Sequence, residues 1–525
     1  MAQTPLISSF FISIMTYAIN AEFYSSMDHM TGLIFSKREF ISSFKHYIRA
    51  EETHVDKLKS CLQVFEKISG EIPADPEKHI SNPLTAYKFV RKLRSAWKTL
   101  EEVAQMSPSK GFLDALPEKS QHFPGDKDID GVALGLLRLQ ETYRLNPERM
   151  RGGGLPKLRT LEPPDPDESF HIATMAHQKH KTLLAFLWGQ DALKQLDEGK
   201  TAVVTKKEVL YFLSPLAFQM GELPLALQLT EELLKLDPYD FSVLHYLTYY
   251  QKVMQSVQRW NETQPTARLD TVMADENRNT YEALCRGEAN GMQMTPRRQR
   301  ALSCRYSTGG GNPRLLYGPI KEEDEWDHPQ ITRYHNFLSD KEIDTIKRLS
   351  RAKLRRAMVL DKETGQKLAS EDRVSKSAWL SEEEDPVISR VNQRIADIVG
   401  LDMQTAEMLQ IANYGIGGQY EPHHDSKLAN DTEFVTVGGR IATTLIYMTD
   451  VEVGGATVFP ILGAALKPQK GSAVFWYNLL KNGKEDDRTL HAACPVFVGS
   501  KWVANKWIRA RGQEFRRPCA LAEVD

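Results

Sequence analysis

The sequence predicts a multidomain α + β protein that is helical in its N-terminal half and rich in β-strands in its C-terminal third. Apolar residues recur at alternating spacings of three and four between residues 41 and 65, and residues 168–255 carry a repeat-like helical pattern. From about residue 331, short β-rich runs are separated by Gly, Asn and Pro, which is typical of a β-sandwich or barrel. A chain of 525 residues is also too long for a single hydrophobic core.

The composition bounds the classes of function. Apolar residues at 41% and charged residues at 26% are ordinary globular values. A formal net charge of -2 gives no electrostatic reason to expect nucleic acid or an anionic membrane as partner. No apolar run approaches the roughly 18 residues of a membrane span. The predicted segments are a signal peptide at 1–21, a helical dimerisation domain at 22–146, a tetratricopeptide-like peptide-binding domain at 165–255, a linker at 256–330 and a β-rich domain at 331–519.

The N-terminus and the cysteines favour a secretory route. Residues 6–17 are uncharged and largely apolar, and small residues follow at 18–21, which predicts a cleaved signal peptide, although the usual basic start is missing. A buried first helix is the alternative. The sequons at Asn261 and Asn430 are compatible with secretion.

The five cysteines fall into two closely spaced pairs and one single residue. Cys285 and Cys304 form one pair, Cys494 and Cys519 the other, and Cys61 stands alone. Two local loops and one spare thiol suit an oxidising compartment. Five free thiols in a cytosolic protein remain the alternative.

The helical half contains two different patterns. The apolar spacing at 41–65 is a heptad seam, which predicts either a coiled-coil-like association or an intramolecular helical hairpin. Further helices are expected after Pro83 and over 132–145, and a Gly/Pro-rich linker covers 151–166.

The second pattern has the spacing of a tetratricopeptide repeat. Gly221, Ala226 and Pro238 keep its offsets, and Ala185 and Ala192 fit the second helix of a preceding unit. Such helix pairs present a concave groove to a peptide. An unrelated pair of helices is the alternative.

A metal site is predicted in the β-rich part. Strands are expected at 408–414, 441–448, 472–477, 489–497 and 502–508, with helices at 340–352 and 387–399. His423 and Asp425 are two residues apart, so they share one face of a strand, and His491 supplies a third ligand. Two histidines and one carboxylate form the facial triad of non-heme Fe(II) oxygenases. With 14 histidines in the chain, a purely structural role is the alternative to that assignment. Lys501 is expected to be buried against an anion, such as the distal carboxylate of 2-oxoglutarate.

Longer motifs resemble the collagen prolyl 4-hydroxylase alpha subunits. They run in order from about residue 22 to 519 and are dense after residue 280. The matching stretches are LCRGE (284–288), MTPRRQ (294–299), RVSKSAW (373–379), EMLQIANYGIGGQYEP (407–422), GGATVFP (454–460), GSAVFWYNLL (471–480), HAACPV (491–496), KWVANKW (501–507) and GQEFRRPC (512–519).

The resemblance implies a C-terminal double-stranded β-helix (jelly roll) that holds iron through His423, Asp425 and His491. It implies Lys501, Tyr414 and Thr457 on the distal carboxylate of 2-oxoglutarate. It places Tyr420, Arg440 and Trp507 around the substrate proline. Disulfides are then expected at Cys285–Cys304 and Cys494–Cys519, with Cys61 free.

The implied activity is 4-hydroxylation of peptidyl proline in collagen-like sequences, with O2, 2-oxoglutarate, Fe(II) and ascorbate. Members of the family act in the endoplasmic reticulum lumen as tetramers of two alpha subunits and two protein disulfide isomerase (beta) subunits. Another peptidyl prolyl or lysyl hydroxylase, a small-substrate oxygenase and a catalytically idle scaffold are the alternatives.

The chain departs from the family at two places. His424 stands where relatives usually have an aromatic residue. In the repeat domain, residues that would hold a peptide are replaced, while Tyr249 is kept. The replaced positions are Thr182, Leu183, Phe212, Pro215, Ser242 and Tyr246. The sequence therefore predicts an intact catalytic site and an altered peptide groove.

Overall fold

The computed structural model describes residues 22–70, 83–105, 124–147, 150, 164–263, 276–288, 295–360, 367–426 and 436–522. The predicted signal peptide and the sequon at Asn430 lie outside these residues. The chain divides into two units, one of residues 29–125 and one that joins the residues before 29 to residues 126–525. None of the helices in the described segments is long and apolar enough to cross a membrane.

The unit of residues 29–125 contains two helices, α1 (Met27–Gly70) and α2 (Pro83–Gln105). Cys61 of α1 and Val103 of α2 are both buried. Nε2 of His54 lies 2.9 Å from the carbonyl oxygen of Val103, so the two helices contact each other there. The helix start expected at Pro83 is confirmed.

The heptad seam of α1 is only partly covered by the described residues. Its apolar side chains are between 39% and 58% exposed at Ile41, Phe44, Ile48, Val55 and Leu62. The seam residues Leu58 and Phe65 are partly buried, and α1 also contacts α2 through His54, so the pattern is compatible with both a hairpin and an association surface. It leaves an apolar stripe on the surface of α1.

The second unit begins with a 3-10 turn at Phe23–Ser25, followed after residue 125 by six longer helices. These helices are α3 (Asp126–Tyr143), α4 (Pro166–Gln178), α5 (Thr182–Asp197), α6 (Lys206–Gln219), α7 (Leu223–Leu236) and α8 (Phe241–Thr263). Capping boxes at Asp165 and Thr205 start α4 and α6, because each side chain accepts from the amide three residues later.

Helices α4 to α8 form the repeat-like domain. Fully buried alanines at the helix crossings, Ala173, Ala185, Ala192, Ala217 and Ala226, allow close approach of the backbones. Gly221 has a φ of +81°, which provides the turn between α6 and α7. Pro215 lies inside α6, which nevertheless continues to Gln219.

Helix α3 contacts both the repeat-like domain and the β-rich part. Trp188 of α5 donates to Oε1 of Gln140 at 2.7 Å. On another side of α3, Arg138 donates to the carbonyl oxygen of Gly417 at 2.8 Å. At Gly135 the two backbones meet, because a Cβ there would lie 2.6 Å from the carbonyl oxygen of Ile416.

The β-rich part consists mainly of a nine-stranded and a four-stranded sheet. The nine-stranded sheet has the order β1-β2-β3-β14-β10-β17-β8-β7-β4, and the four-stranded sheet has the order β13-β12-β15-β9. Two small sheets pair β11 with β16 and β5 with β6. The strands are β1 (Cys304–Ser307), β2 (Ile320–Trp326), β3 (Ile331–His335), β4 (Arg355–Arg356), β5 (Val359–Leu360), β6 (Lys367–Leu368), β7 (Ser375–Leu380), β8 (Leu409–Tyr414), β9 (Tyr420–His423), β10 (Arg440–Tyr447), β11 (Val453–Gly454), β12 (Thr457–Phe459), β13 (Ala464–Leu466), β14 (Ala473–Tyr477), β15 (His491–Ala493), β16 (Val496–Val498) and β17 (Trp502–Arg509).

Two longer helices pack against the nine-stranded sheet. The helices of this part are α9 (Glu276–Cys285), α10 (Pro296–Gln299), α11 (Pro313–Tyr317), α12 (Asp340–Arg351) and α13 (Pro386–Val399). Ile343 and Ile346 of α12 share a buried cluster with Ile388 and Val391 of α13 and with strand residues such as Ile411. The four-stranded sheet contributes Phe459 to a second cluster.

The expected linker at 256–330 is wrong in extent. It contains the end of α8, helix α9 and strands β1 and β2, which extend one edge of the nine-stranded sheet. Strand β2 lies one strand in from that edge, and its charged residues Glu322 and Asp324 pair with Arg305 of the edge strand β1. The polar composition of β2 therefore resembles that of a linker and does not indicate a strand.

The expected disulfide pairing is also wrong. The structure joins Cys285 to Cys494, with a Cα–Cα distance of 5.5 Å, and leaves Cys304 and Cys519 exposed as free thiols. Cys285 ends α9, which packs on the four-stranded sheet, so tertiary contact brings it to Cys494. Loop length along the chain did not decide the pairing. Cys61 is free, as expected.

Candidate active site

The three predicted metal ligands meet between two neighbouring strands. His423 at the end of β9 is the direct register partner of His491, which begins β15. Nε2 of His423 lies 3.7 Å from Oδ1 of Asp425, and Nε2 of His491 lies 3.6 Å from Oδ2. One ligand atom from each residue lies within 4.8 Å of the others. The strand pairing therefore creates a three-ligand cluster.

Backbone carbonyls orient both imidazoles. Nδ1 of His423 lies 2.7 Å from the carbonyl oxygen of Glu421, and Nδ1 of His491 lies 3.0 Å from that of Thr489. Each carbonyl accepts the Nδ1 proton, which leaves Nε2 as the free ligand atom facing Asp425. The two rings are 4.4 Å apart between centroids.

Two donors hold the carboxylate. The indole N–H of Trp507 donates to Oδ2 of Asp425 at 2.8 Å, and the hydroxyl of Thr443 donates to the same oxygen at 2.9 Å. These bonds come from β17 and β10, so the nine-stranded sheet fixes a ligand that follows β9 in the chain.

The electrostatics of the cluster favour a neutral His423 and an ionised Asp425. Burial, followed by the neighbouring His491, holds the pKa of His423 well below its ordinary value. Burial alone raises the pKa of Asp425, but the neighbouring His491, His423 and Arg440 outweigh it and lower that pKa to about 2. Neutral imidazoles and an ionised carboxylate are the forms that bind a divalent metal.

A lysine without an ion pair lies in the same cavity. Lys501 is 2% exposed and forms no salt bridge with any residue that the structure describes. Burial lowers its pKa to about 7. Its ammonium is 5.1 Å from the ring centroid of Tyr414. Thr457 faces this cavity and accepts a hydrogen bond of 2.8 Å from the hydroxyl of Tyr447. The cavity therefore offers a buried cation beside hydroxyl groups, which suits a carboxylate.

Aromatic side chains form a second wall of the cavity. The ring of Tyr420 stacks on His423 with centroids 3.5 Å apart. Arg440 lies behind this wall, where its guanidinium is 3.9 Å from the ring of Trp507 and forms a bidentate pair with Glu407. Of the nine predicted site residues, Arg440 alone is absent from the lining of the cavity.

Sequence reasoning missed several residues of the site. Arg373 and Asn505 line the cavity, and Gln410 connects them, accepting from Arg373 at 2.8 Å and from Asn505 at 3.3 Å. Arg373 begins the RVSKSAW motif (373–379), but nothing in its spacing indicates a role in the site. Tyr447 carried no signal beyond a β-strand pattern.

His424 points away from the cluster. Its Nε2 lies 3.7 Å from Oε1 of Glu485, and it does not line the cavity. The departure from the family at this position therefore leaves the three ligands intact.

Two histidines and a carboxylate with free ligand atoms, beside a buried lysine, are the chemistry of an Fe(II)- and 2-oxoglutarate-dependent oxygenase. The sequence model of the 2OG-Fe(II) oxygenase superfamily matches residues 409–509. Those of the prolyl 4-hydroxylase alpha-subunit N-terminal region and of the prolyl 4-hydroxylase peptide-substrate-binding domain match residues 26–157 and 166–256. The chain belongs to the prolyl 4-hydroxylase alpha-subunit family.

The relatives cover nearly the whole chain. It is 45% identical over 516 residues to prolyl 4-hydroxylase subunit alpha-2 of Gallus gallus, which covers 96% of both chains. Subunit alpha-1 of Gallus gallus is 43% identical over 96% of this chain and 100% of its own. Subunit alpha-1 of Rattus norvegicus is 43% identical over 96% of both.

Proposed function

We propose that this chain is the catalytic alpha subunit of a procollagen-proline 4-dioxygenase, hydroxylating peptidyl proline at C4 in collagen-like sequences. The observation that carries the proposal is the cluster of His423, Asp425 and His491 beside the unpaired cation of Lys501. The names of the relatives support the prolyl substrate.

The donor set fits Fe(II), because two imidazoles and one carboxylate bind it without the thiolates that would favour zinc. When bound, Fe(II) supplies the activation of O2 that couples decarboxylation of 2-oxoglutarate, to succinate and CO2, to hydroxylation of the substrate carbon. Ascorbate is proposed to restore the metal after turnovers without substrate.

The protein itself binds and orients the two substrates. Lys501 neutralises the distal carboxylate of 2-oxoglutarate, while Tyr414 and Thr457 donate hydrogen bonds to it. Tyr420 and Trp507 provide flat apolar surfaces for a proline ring. Arg440 stabilises the Trp507 face from behind through its contact with the indole.

The sheets support the finer fold assignment. The nine-stranded and four-stranded sheets hold the ligands between them, with β9 and β15 in one sheet and the carboxylate donors in the other. This arrangement supports our assignment of a double-stranded β-helix, or jelly roll.

The repeat-like domain is proposed to dock the substrate peptide. Tyr211 and Tyr249 are 39% and 48% exposed, and each ring packs edge-on against an aromatic neighbour. Grooves that bind a polyproline II helix stack such rings on prolines. At the altered positions, Leu183 is exposed and Phe212 is held between Phe170 and His177, which supports a groove different from that of relatives.

The surface of α1 is proposed to join two alpha subunits. The stripe from Ile41 to Leu62 is apolar and exposed, which suits a coiled-coil partner. We propose that the chain works in the endoplasmic reticulum lumen as an alpha2beta2 tetramer with protein disulfide isomerase. A disulfide between Cys285 and Cys494 supports an oxidising compartment.

The test is succinate release with (Pro-Pro-Gly) repeats, with and without Fe(II) and 2-oxoglutarate, followed by analysis for 4-hydroxyproline. Lysine-containing peptides and free amino acids serve as competing substrates, and His491→Ala is the inactive control. Turnover with lysine peptides alone would indicate a lysyl hydroxylase, and turnover with free proline alone would indicate a small-substrate oxygenase. No turnover with any of them would support a scaffold.

A further inference from the structure

The N-terminal residues 22–28 are packed into the oxygenase part. Ser25 and Ser26 are fully buried, and Glu22 pairs with Arg356 at 2.8 Å. The backbone of Tyr24 lies against the turn after β8, where a Cβ on Gly415 would overlap the Tyr24 carbonyl oxygen. This segment is therefore seated in the fold rather than resting on its surface.

The end of the segment donates two hydrogen bonds to one buried asparagine. The hydroxyl of Ser26 donates to Oδ1 of Asn413 at 2.7 Å, and the backbone N–H of Asp28 donates to the same oxygen at 3.1 Å. Asn413 is fully buried. Two donors on Oδ1 fix which end of its amide faces the N-terminal segment.

The other end of that amide holds the co-substrate lysine. Nδ2 of Asn413 donates to the carbonyl oxygen of Lys501 at 3.2 Å, and to the hydroxyl of Ser500 at 3.3 Å. The same Lys501 carbonyl accepts a bond of 3.1 Å from the backbone N–H of Tyr414. Successive residues of a strand face opposite sides, so Tyr414 faces the cavity while Asn413 faces Ser26.

Lys501 needs such a restraint because of its place in the chain. It precedes β17 and follows the turn at Gly499, which has a φ of +107°. A residue between a glycine turn and the first strand residue has fewer ladder bonds than one within the strand. A shift of its backbone would move the ammonium relative to the bound carboxylate.

We propose that Ser26 and Asn413 are positioning residues for 2-oxoglutarate, with Ser26 orienting the Asn413 amide and that amide clamping the Lys501 backbone. The proposal rests on the co-substrate role assigned to Lys501. It links the first residues described in this chain to the affinity for the co-substrate. An alternative is that residues 22–28 only stabilise the fold.

The test uses the full chain carrying Ser26→Ala, with Ser25→Ala as matched control. Ser25 is equally buried, but among the described residues its hydroxyl bonds only the nearby Glu22 carbonyl, at 2.8 Å. Binding of N-oxalylglycine, an unreactive 2-oxoglutarate analogue, is measured by calorimetry with Mn²⁺ in the metal site. Steady-state kinetics give KM for 2-oxoglutarate and for the peptide.

Ser26→Ala is expected to raise both the analogue Kd and the KM for 2-oxoglutarate by roughly three- to tenfold, the effect of one buried hydrogen bond. The peptide KM, kcat and the values for Ser25→Ala are expected to stay within about twofold. Asn413→Asp provides a second variant, because it keeps the acceptor for Ser26 but loses the donor to Lys501. It is expected to raise the same two constants.

An unchanged analogue Kd in Ser26→Ala, or an equal rise in Ser25→Ala, would overturn the proposal. A fall in apparent kcat with both KM values and the analogue Kd unchanged, which is the result of a smaller folded fraction, would assign the segment to stability alone. Failure of the wider function is distinguishable, because the wild-type chain would then bind no analogue or bind it independently of Lys501.

Discussion

The indole of Trp507 and the carboxylate of Asp425 are joined by a hydrogen bond of 2.8 Å. A residue expected only to line the proline pocket thus also holds one of the three predicted metal ligands. The bonded oxygen is the one that faces His491. The predicted substrate wall and the predicted metal cluster are therefore directly hydrogen-bonded to each other. A substitution in one is expected to affect the other.

Trp507→Phe is expected to weaken metal binding about tenfold to a hundredfold, because supporting hydrogen bonds to metal ligands have effects of this size. Co²⁺ or Mn²⁺ titration of the purified chain measures it. Trp379→Phe is the matched control, since its ring lies 6.0 Å from that of Trp507 but does not line the cavity. Equal metal affinity in the two variants would limit Trp507 to a role in substrate binding.

His423→Ala, Asp425→Ala and His491→Ala are each expected to abolish turnover while the chain stays folded. The described cluster contains one ligand atom from each residue, so removing any one leaves an incomplete set. Circular dichroism checks the fold and succinate release checks activity. His424→Ala, which points toward Glu485, serves as control and is expected to remain active. Substantial activity in any ligand variant would remove that residue from the triad.

Lys501→Ala is expected to raise the KM for 2-oxoglutarate by orders of magnitude, since a buried charge pair loses one partner at roughly 2–5 kcal/mol. Metal affinity is expected to change little. A co-substrate KM within a few-fold of wild type would contradict the role of Lys501.

The affinity for 2-oxoglutarate is expected to depend on pH. Burial lowers the pKa of Lys501 to about 7, so the free protein loses the positive charge as pH rises through that value. Binding then requires uptake of a proton, and the apparent Kd is expected to rise about tenfold between pH 6 and pH 8. Lys501→Arg keeps its charge and is expected to flatten the profile. The same shift makes the folded chain more stable as pH rises above about 7, because the unfolded lysine holds its proton longer.

Peptide mapping without reduction is expected to recover a peptide pair that joins Cys285 to Cys494. Cys304 and Cys519 are exposed, so both are expected to react with an alkylating reagent before unfolding. Cys285→Ser is expected to lower the free energy of unfolding by about 2–5 kcal/mol, as loss of a native disulfide does in small secreted domains. Recovery of Cys285–Cys304 and Cys494–Cys519 peptide pairs would instead support the pairing expected from the sequence.

The full chain is expected to bind (Pro)9 and (Pro-Pro-Gly)3 at least tenfold more weakly than the Gallus gallus alpha-1 relative. Several of the groove contacts that the family resemblance implies, of about 0.5–1.5 kcal/mol each, are expected to be missing, because Phe212 and Pro215 cannot donate hydrogen bonds. Fluorescence titration of both proteins in metal-free form measures the difference.

Phe212→Tyr is expected to recover part of the lost affinity, and Tyr249→Ala to reduce what remains. Equal affinities of the two proteins would mean that these positions do not form the docking groove. Tight binding of another peptide sequence would instead assign Tyr211, His245 and Tyr246 to a changed specificity.

Local patterns predicted the elements well. The strand expected at 441–448 is β10 (Arg440–Tyr447), and the helix expected at 387–399 is α13 (Pro386–Val399). These segments combine strong apolar periodicity with clear end signals, such as the capping Asp385. The run at 489–497 instead forms two short strands, because Cys494 and Pro495 interrupt the pairing.

The site was predictable where chemistry fixes residue type. His423, Asp425 and His491 follow from ligand preference and strand alternation, and they meet in the structure. The partners Arg373, Asn505 and Asn413 were missed, because amides and arginines are common and only tertiary contact selects them. Cys494 was assigned the wrong partner for the same reason, since proximity along the chain says nothing about how α9 docks.

The contact between Gly135 and Gly417 has a consequence for how this sequence can change over generations. A Cβ on Gly417 would lie 2.5 Å from the carbonyl oxygen of Gly135, and a Cβ on Gly135 would lie 2.6 Å from that of Ile416. Neither glycine can be replaced by another amino acid unless α3 moves away from the turn before β9. Because α3 also contacts the repeat-like domain, a mutation at either glycine is expected to disturb the packing of the repeat-like domain as well as that of the β-rich part.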